Sequence, residues 1–312
     1  MTFRRILPVL AVALLAAPAL LGEPAKERRN VIRVPVWVAS PDALKMDSMQ
    51  ARATNTDARV VALNGPGEDL MLLIVLDMVD DLALIEPARE ALVKAVEEAG
   101  PRTHIGVLRA QDGLKVLADP ARDRAPAIAA IRAFPVSGKA GLIDTVETAT
   151  HLADAILAKS SVRVAVLYVT DSDVRNYRED FTNPVINSSD SHDLSRRFPE
   201  GLVQEKFSKL EVQMAARQAP LFLVHLNYRS DRLNEAYQNG LKQLASNAAG
   251  AAIFCRTPAD IPQAVAQIVD QIAAHYSVTL ELPGSAGKSV EVALESSGLS
   301  LSHRTRFVLK ER

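Results

Sequence analysis

The chain holds a single cysteine, Cys255, so no disulfide forms within it. Aromatic residues make up only 4% of the sequence, too few for a base-stacking surface. Lysines and arginines number 36 against 37 acids, so the basic excess of a dedicated nucleic-acid binder is missing. There is no Gly-x-Ser-x-Gly elbow, no P-loop and no Gly-x-Gly-x-x-Gly, and an esterase or nucleotide role therefore lacks its usual marker. None of the six histidines forms a His-x-x-x-His pair or a Cys/His cluster, which leaves a zinc site without support. No internal repeat is found.

What is present begins with an address. Arg4 and Arg5 precede an apolar stretch from Ile6 to Leu21, followed by the small residues Gly22 and Ala25. That pattern reads as a secretory signal peptide over 1–25. The stretch is short for a membrane span. The mature chain is therefore expected in the periplasm or outside the cell, with no stable span after cleavage. With 48% hydrophobic residues in 312, a sizeable core can be buried. The lone Cys255 sits in the apolar run Ala251 to Cys255 and reads as a buried structural thiol.

The most informative feature is a pair of apolar runs that end in acid. Leu70 to Leu76 ends in Asp77-Met78-Val79-Asp80-Asp81, and Val162 to Val169 ends in Thr170-Asp171-Ser172-Asp173. Near-continuous apolar runs of this length are expected as strands buried on both faces of a parallel sheet. Helices are predicted over about 82–99, 123–133, 142–157, 203–218, 233–248 and 261–274. Strands are predicted at 104–108, 221–226 and 251–255, with a hairpin partner for the first at 113–117. Alternation of this kind implies an α/β fold with a doubly wound, mostly parallel sheet flanked by helices. Ligands bind beyond the carboxyl ends of such strands, so both acidic clusters should share one crevice, suited to a hard cation or a basic partner. Small β segments are expected at the two ends of the chain, from 31–38 and 58–63 and from 276–282, 289–294 and 304–309. The expected organisation is a signal peptide (1–25), an N-terminal β appendage (26–67), an α/β domain (68–275) and a C-terminal β tail (276–312). A long polar stretch over 172–197 is expected as a functional or mobile loop.

In this order, Leu72 to Asp77, Asp119 to Ile128, Gly138 to Val146, Val166 to Asp171 and Gly250 to Ile272 together resemble the von Willebrand factor A-type domain, in the exported form found in acidobacteria. The resemblance implies a VWA/Rossmann-like fold and a metal-ion-dependent adhesion site of the form Asp-x-Ser-x-Ser, then Thr, then Asp. Asp77 and Asp171 match the two aspartates. Val79 and Ala140 stand where the family has Ser and Thr, and Asp81 replaces the second Ser. What it implies is a degenerate site, with Asp77, Asp81 and Asp171 as the candidate ligands for Mg²⁺ or another divalent cation. Without a cation, the carboxylates would be satisfied by backbone N–H groups, nearby bases or solvent. The expected role is non-catalytic binding of a protein partner at the carboxyl-end face, through loops 77–81, 138–144 and 171–197, with Asp80, Asp173 and Lys139 as contact residues. The alternatives are a metal-dependent hydrolase using the Asp77/Asp171 crevice and a structural envelope component. A dehalogenase-like phosphatase would need an acid at position 79, where Val79 stands.

Overall fold

The computed structural model describes residues 30–40, 44–79, 81–177, 199–282 and 287–309. The expected leader, Asp80 and most of the 172–197 stretch lie outside the described residues. In chain order the strands are β1 (Asn30–Val38), β2 (Met49–Ala53), β3 (Thr56–Asn64), β4 (Leu70–Asp77), β5 (Thr103–Arg109), β6 (Lys115–Ala121), β7 (Arg163–Thr170), β8 (Leu221–His225), β9 (Ala252–Phe254), β10 (Tyr276–Leu282), β11 (Ser289–Ser296), β12 (Leu301–His303) and β13 (Arg306–Val308). The helices are α1 (Leu82–Glu98), α2 (Ala125–Arg132), α3 (Leu142–Lys159), α4 (Pro199–Met214), α5 (Arg232–Asn247) and α6 (Ile261–Ala274).

Six strands form the sheet that carries the acidic clusters, in the order β6-β5-β4-β7-β8-β9. All neighbours in it are parallel except β5 and β6. The apolar runs make this arrangement stable because both faces of each strand find cover. Leu70, Leu72, Ile74 and Leu76 of β4 pack under α1, α2 and α6. Leu73 and Val75 pack under α3, α4 and α5 on the opposite face. The chain runs outward from β4 through β5 to β6, then returns to β7 on the other side of β4. This reversal opens a crevice at the carboxyl ends of β4 and β7. In register, Asp77 lies opposite Thr170, so the two acidic clusters emerge side by side.

The β segments at the chain ends are not small or separate. They join in one antiparallel sheet of seven strands, ordered β12-β1-β10-β3-β2-β11-β13. β12 and β13 sit at its opposite edges, yet only Arg304 and Thr305 separate them in sequence. The sheet must therefore curl until its edges approach. Alternate residues fill the inside of the curl: Ile32, Val34 and Val36 meet Val278, Leu280 and Leu282, with Val290, Val292, Leu294 and Phe307 from the tail. Local alternation predicts most of these strands. Their common sheet depends on pairings more than 200 residues apart, such as Ala51 with Leu294, which local patterning does not carry.

The chain crosses between the two sheets twice, before β4 and after α6. One buried guanidinium holds both crossings. Arg163 Nη2 donates to the Glu68 carbonyl (3.0 Å), and its Nη1 donates to the Ala273 and His275 carbonyls (2.8 Å each). Trp37 Nε1 adds a bond from β1 to the Gln271 carbonyl (2.9 Å). Arg304, between β12 and β13, donates to the Arg217 and Ala215 carbonyls at 2.5 and 2.6 Å.

Candidate functional site

Asp77 is the last residue of β4 and is fully buried. Its Oδ1 accepts from Gly141 N (2.8 Å), and its Oδ2 accepts from Leu142 N (3.1 Å) and Thr170 Oγ1 (3.2 Å). Gly141 and Leu142 open α3, so the carboxylate caps the positive end of that helix from outside it. Only glycine permits this approach: a Cβ at 141 would lie 2.0 Å from the Ala110 carbonyl oxygen. Burial pushes the Asp77 carboxyl up to about 6, and the nearby charge of Asp171 adds to the rise. The two amides and Thr170 pull the other way without cancelling it.

Asp171, just past β7, is 1% exposed. Its oxygens accept from the main chain of the first loop, Oδ1 from Val79 N (2.7 Å) and Oδ2 from Asp81 N (3.1 Å). The structure thus brings Asp77 and Asp171 together, as the strand pattern implies, and turns each toward backbone donors. Asp81 is exposed and N-caps α1, its Oδ1 accepting from Ala83 N at 2.9 Å. Val79 is half-buried against the apolar cluster on the α3 side, and Ala140 is buried. Asp173 is 3% exposed and pairs with Arg229 Nε at 2.9 Å and Arg175 Nε at 3.4 Å. Lys139 is exposed on the loop before α3, where its N–H donates to Asp112 Oδ1 (2.9 Å).

Several residues of this site escape sequence reasoning. Tyr237 Oη contacts Ser172 Oγ (3.2 Å), which contacts Thr170 Oγ1 (2.6 Å), which donates to Asp77. Because the last acceptor is a carboxylate, the hydroxyls point one way, toward Asp77. His225 closes the network: its Nδ1 accepts from Asn227 N (3.3 Å), so Nε2 carries the proton and donates to the Ser172 carbonyl (2.8 Å). Burial lowers the His225 imidazole to about 4, and it stays neutral. The buried Gln111 amide donates to the Met78 carbonyl (2.8 Å) and fixes the loop after β4. Thr170 and Ser172 were visible as hydroxyls at a strand end. Tyr237 and Gln111 join only through the tertiary fold.

Set against the oxygen ligands that a hard, octahedral cation takes, the side-chain donors here are few. Positions 79 and 140 carry no side-chain oxygen, Asp81 is turned to its own helix, and each oxygen of Asp77 and Asp171 already accepts an N–H. Among the described residues, no group of three or more His, Cys, Asp or Glu is placed to hold a metal ion. Nor, among the described residues, is any helix long and apolar enough to cross a membrane.

No protein-family model matches the chain, and no curated protein matches its sequence. Among solved structures, it is similar to a von Willebrand factor type A protein from Catenulispora acidiphila, at 11% identity and a TM-score of 0.47, over 91% of this chain and 74% of that one. It is similar to the vWF domain of the type V pili tip protein Mfa5 from Porphyromonas gingivalis, at 14% identity and a TM-score of 0.45, over 66% of this chain and 95% of that one. A third is proximal thread matrix protein 1 from the mussel byssus, with a zinc-occupied MIDAS motif, at 12% identity and a TM-score of 0.43, over 70% of this chain and 48% of that one. The likeness is to von Willebrand factor A structures. The fold itself rests on the strand order, register and helix layers described above.

Proposed function

We propose that this chain is a von Willebrand factor A-like, non-catalytic protein-binding module of the cell envelope, exported by its N-terminal leader. Its contact face is the carboxyl-end rim of the six-stranded sheet, and its adhesion site works without a resident metal. The observation that carries this reading is the inward turn of the two matched aspartates. Asp77 and Asp171 spend their oxygens on the amides of Gly141, Leu142, Val79 and Asp81, and so tie three rim loops to one another. Carboxylates used this way build a stiff platform rather than an open coordination site. Leu82, 64% exposed at the start of α1, and the exposed Lys139 stand on that platform and offer side chains to a partner.

The test has two arms. Calorimetric titration of the mature protein with Mg²⁺, Mn²⁺ and Ca²⁺ should give no saturable heat. Capture from the protein's own cell envelope should succeed with wild-type bait and fail with a Leu82→Asp/Lys139→Glu bait of unchanged melting temperature. A stoichiometric metal heat, or capture indifferent to both rim changes, refutes the reading.

A further inference from the structure

The seven-stranded sheet closes its seam at one end and parts at the other. β12 pairs with β1 only at Val36, Trp37 and Val38. The chain then leaves β1 and joins β11: Val292 N donates to the Thr305 carbonyl (2.6 Å), and Phe307 pairs with Val290. From Asn30 to Pro35, β1 keeps β10 on one side and, among the described residues, has no strand on the other. A cleft of about 470 Å³ lies along that open edge. Residues 30–33 form one side of it, Val308 and Leu309 another, and Leu157 and Ala158 of α3 a third. Since α3 begins at the rim and Leu157 is near its C-terminal end, the cleft stands at the opposite end of the helix from the rim.

The direction of the main chain at this edge is fixed. In an antiparallel ladder, the N–H and C=O of successive residues point to alternate sides. Arg33 N donates away from β10, to Gln218 Oε1 (2.8 Å), and Ala39 N donates to the Ser300 carbonyl on the same side (3.2 Å). The odd-numbered residues of β1 therefore turn their main-chain groups to the cleft. Val31 presents an N–H and a carbonyl there, and Arg33 a carbonyl. Among the described residues these groups bond to no other main-chain or side-chain group. Pro35 has no N–H and ends the row where β12 takes over. Gln218 stands in for the absent neighbour, since its amide oxygen takes the Arg33 N–H as an adjacent strand's carbonyl would. Its loop is held to α3, with Gln218 N and Ala219 N donating to Asp154 Oδ1 (2.9 and 3.0 Å). What satisfies such a row of donors and acceptors is a second extended main chain.

We propose that the open edge of β1 is a strand-addition site, at which an extended segment of a protein partner pairs antiparallel with Val31 and Arg33, continuing the line of β12. One residue of the segment exchanges both main-chain bonds with Val31, and the N–H two residues before it donates to the Arg33 carbonyl. Val31 itself is 50% exposed, and with Leu157, Ala158 and Val308 it gives the cleft apolar walls, so the side chains that fit are small or β-branched. The chain's own next strand is not the occupant, because β13 is committed to β11. A second copy of this edge is recessed in the same way, and two recessed edges do not meet; the occupant is a segment that projects from another protein. The site is separate from the rim and does not rest on the rim reading.

The experiment measures fluorescence anisotropy of a labelled Thr-Val-Thr-Val-Thr-Val peptide, blocked at both ends, with the mature protein. Saturable binding is expected. The same peptide N-methylated at every residue keeps its side chains and has no N–H to donate, and it should bind about tenfold or more weaker. Val31→Pro removes a main-chain donor that bonds to nothing in the described fold, at an edge where proline is tolerated, so its melting temperature should stay near wild type while the unmethylated peptide binds several-fold weaker. Gln218→Ala uncovers the Arg33 N–H, and the peptide should bind it about two- to tenfold tighter than wild type. Absence of saturable binding overturns the proposal. So does equal affinity for the N-methylated peptide, or equal affinity of wild type and either variant. If Val31→Pro unfolds the chain, the methylated peptide and Gln218→Ala still decide. A wild-type dimer in sedimentation that Val31→Pro dissociates assigns the edge to a second copy and also overturns the proposal.

Discussion

Replacing Asp77 by Asn removes a buried charge and keeps its shape, and the consequence depends on pH in a way that can be worked out. Burial holds the folded Asp77 carboxyl at about 6, against an ordinary 3.8. Two pKa units correspond to about 3 kcal/mol. A raised acid stabilises the fold fully below its unfolded value and loses that contribution as pH rises through 6, because the native state then holds a proton that the unfolded state has shed. His225 and His275 act oppositely. Burial lowers both imidazoles to about 4 from 6.5, so their contribution is present above 6.5 and lost as pH falls through 4. Between pH 4 and 6 the unfolded chain therefore binds two protons at the histidines, and the native chain binds one at Asp77. Stability of the wild type should climb by about 1.4 kcal/mol per pH unit in that window, and that of Asp77→Asn by about 2.7. The lowered carboxylates Asp69, Glu205, Asp231 and Asp260 and the raised Glu211 add equally to both slopes and drop out of the difference, which is the quantity compared. The Asn amide would face Leu142 N where Asp77 Oδ2 accepts, a pH-independent offset of about 1–3 kcal/mol, so the slope is the readout. Urea unfolding at half-unit intervals from pH 4 to 7, with equal m-values, supplies both slopes. Parallel curves would refute the assignment of a raised pKa. A variant that loses ground as pH rises would mean that the α3 amides outweigh burial.

Other substitutions probe the same architecture. Gly141→Ala places a methyl 2.0 Å from the Ala110 carbonyl oxygen, and relief requires parting α3 from the loop after β5; a loss of about 3 kcal/mol or more is expected from denaturant titration. Arg163→Ala leaves the Glu68, Ala273 and His275 carbonyls without their shared donor; about 2–4 kcal/mol should go, and limited proteolysis should begin cutting near residues 66–69 and 274–276. The Cys255 thiol is 1% exposed and burial pushes it up to about 11, so a thiol reagent at neutral pH should label the native protein only at the rate of unfolding. Prompt stoichiometric labelling would contradict its placement.

The pattern of Leu70 to Asp77 and of Val162 to Asp171 carries the central pair of strands, because a run that is apolar at nearly every position has to be covered on both faces. Neighbouring ends for Asp77 and Asp171 follow from parallel pairing in register. The side-chain direction did not follow. An acidic cluster at a strand end leaves a cation, backbone N–H groups, nearby bases and solvent all open as partners until a backbone amide is close enough to claim it. That closeness depends on Gly141 meeting Ala110, and on the 79–81 loop folding onto Asp171, both non-local. β2, Met-Gln-Ala-Arg-Ala, shows the same limit: it is too short and polar to stand out, yet it bridges the tail strand β11 to β3. Val79 and Ala140, which carry no hydroxyl, close the site. Val79 packs into the apolar cluster and donates its N–H to Asp171; Ala140 is buried, and its neighbour Gly141 donates to Asp77. A serine and a threonine placed there would enter a site whose carboxylate oxygens already accept from main-chain donors. Apolar side chains at 79 and 140 and main-chain donors on the two acids thus belong to one arrangement. That arrangement stiffens the rim by tying the loops after β4, before α3 and after β7 to one another.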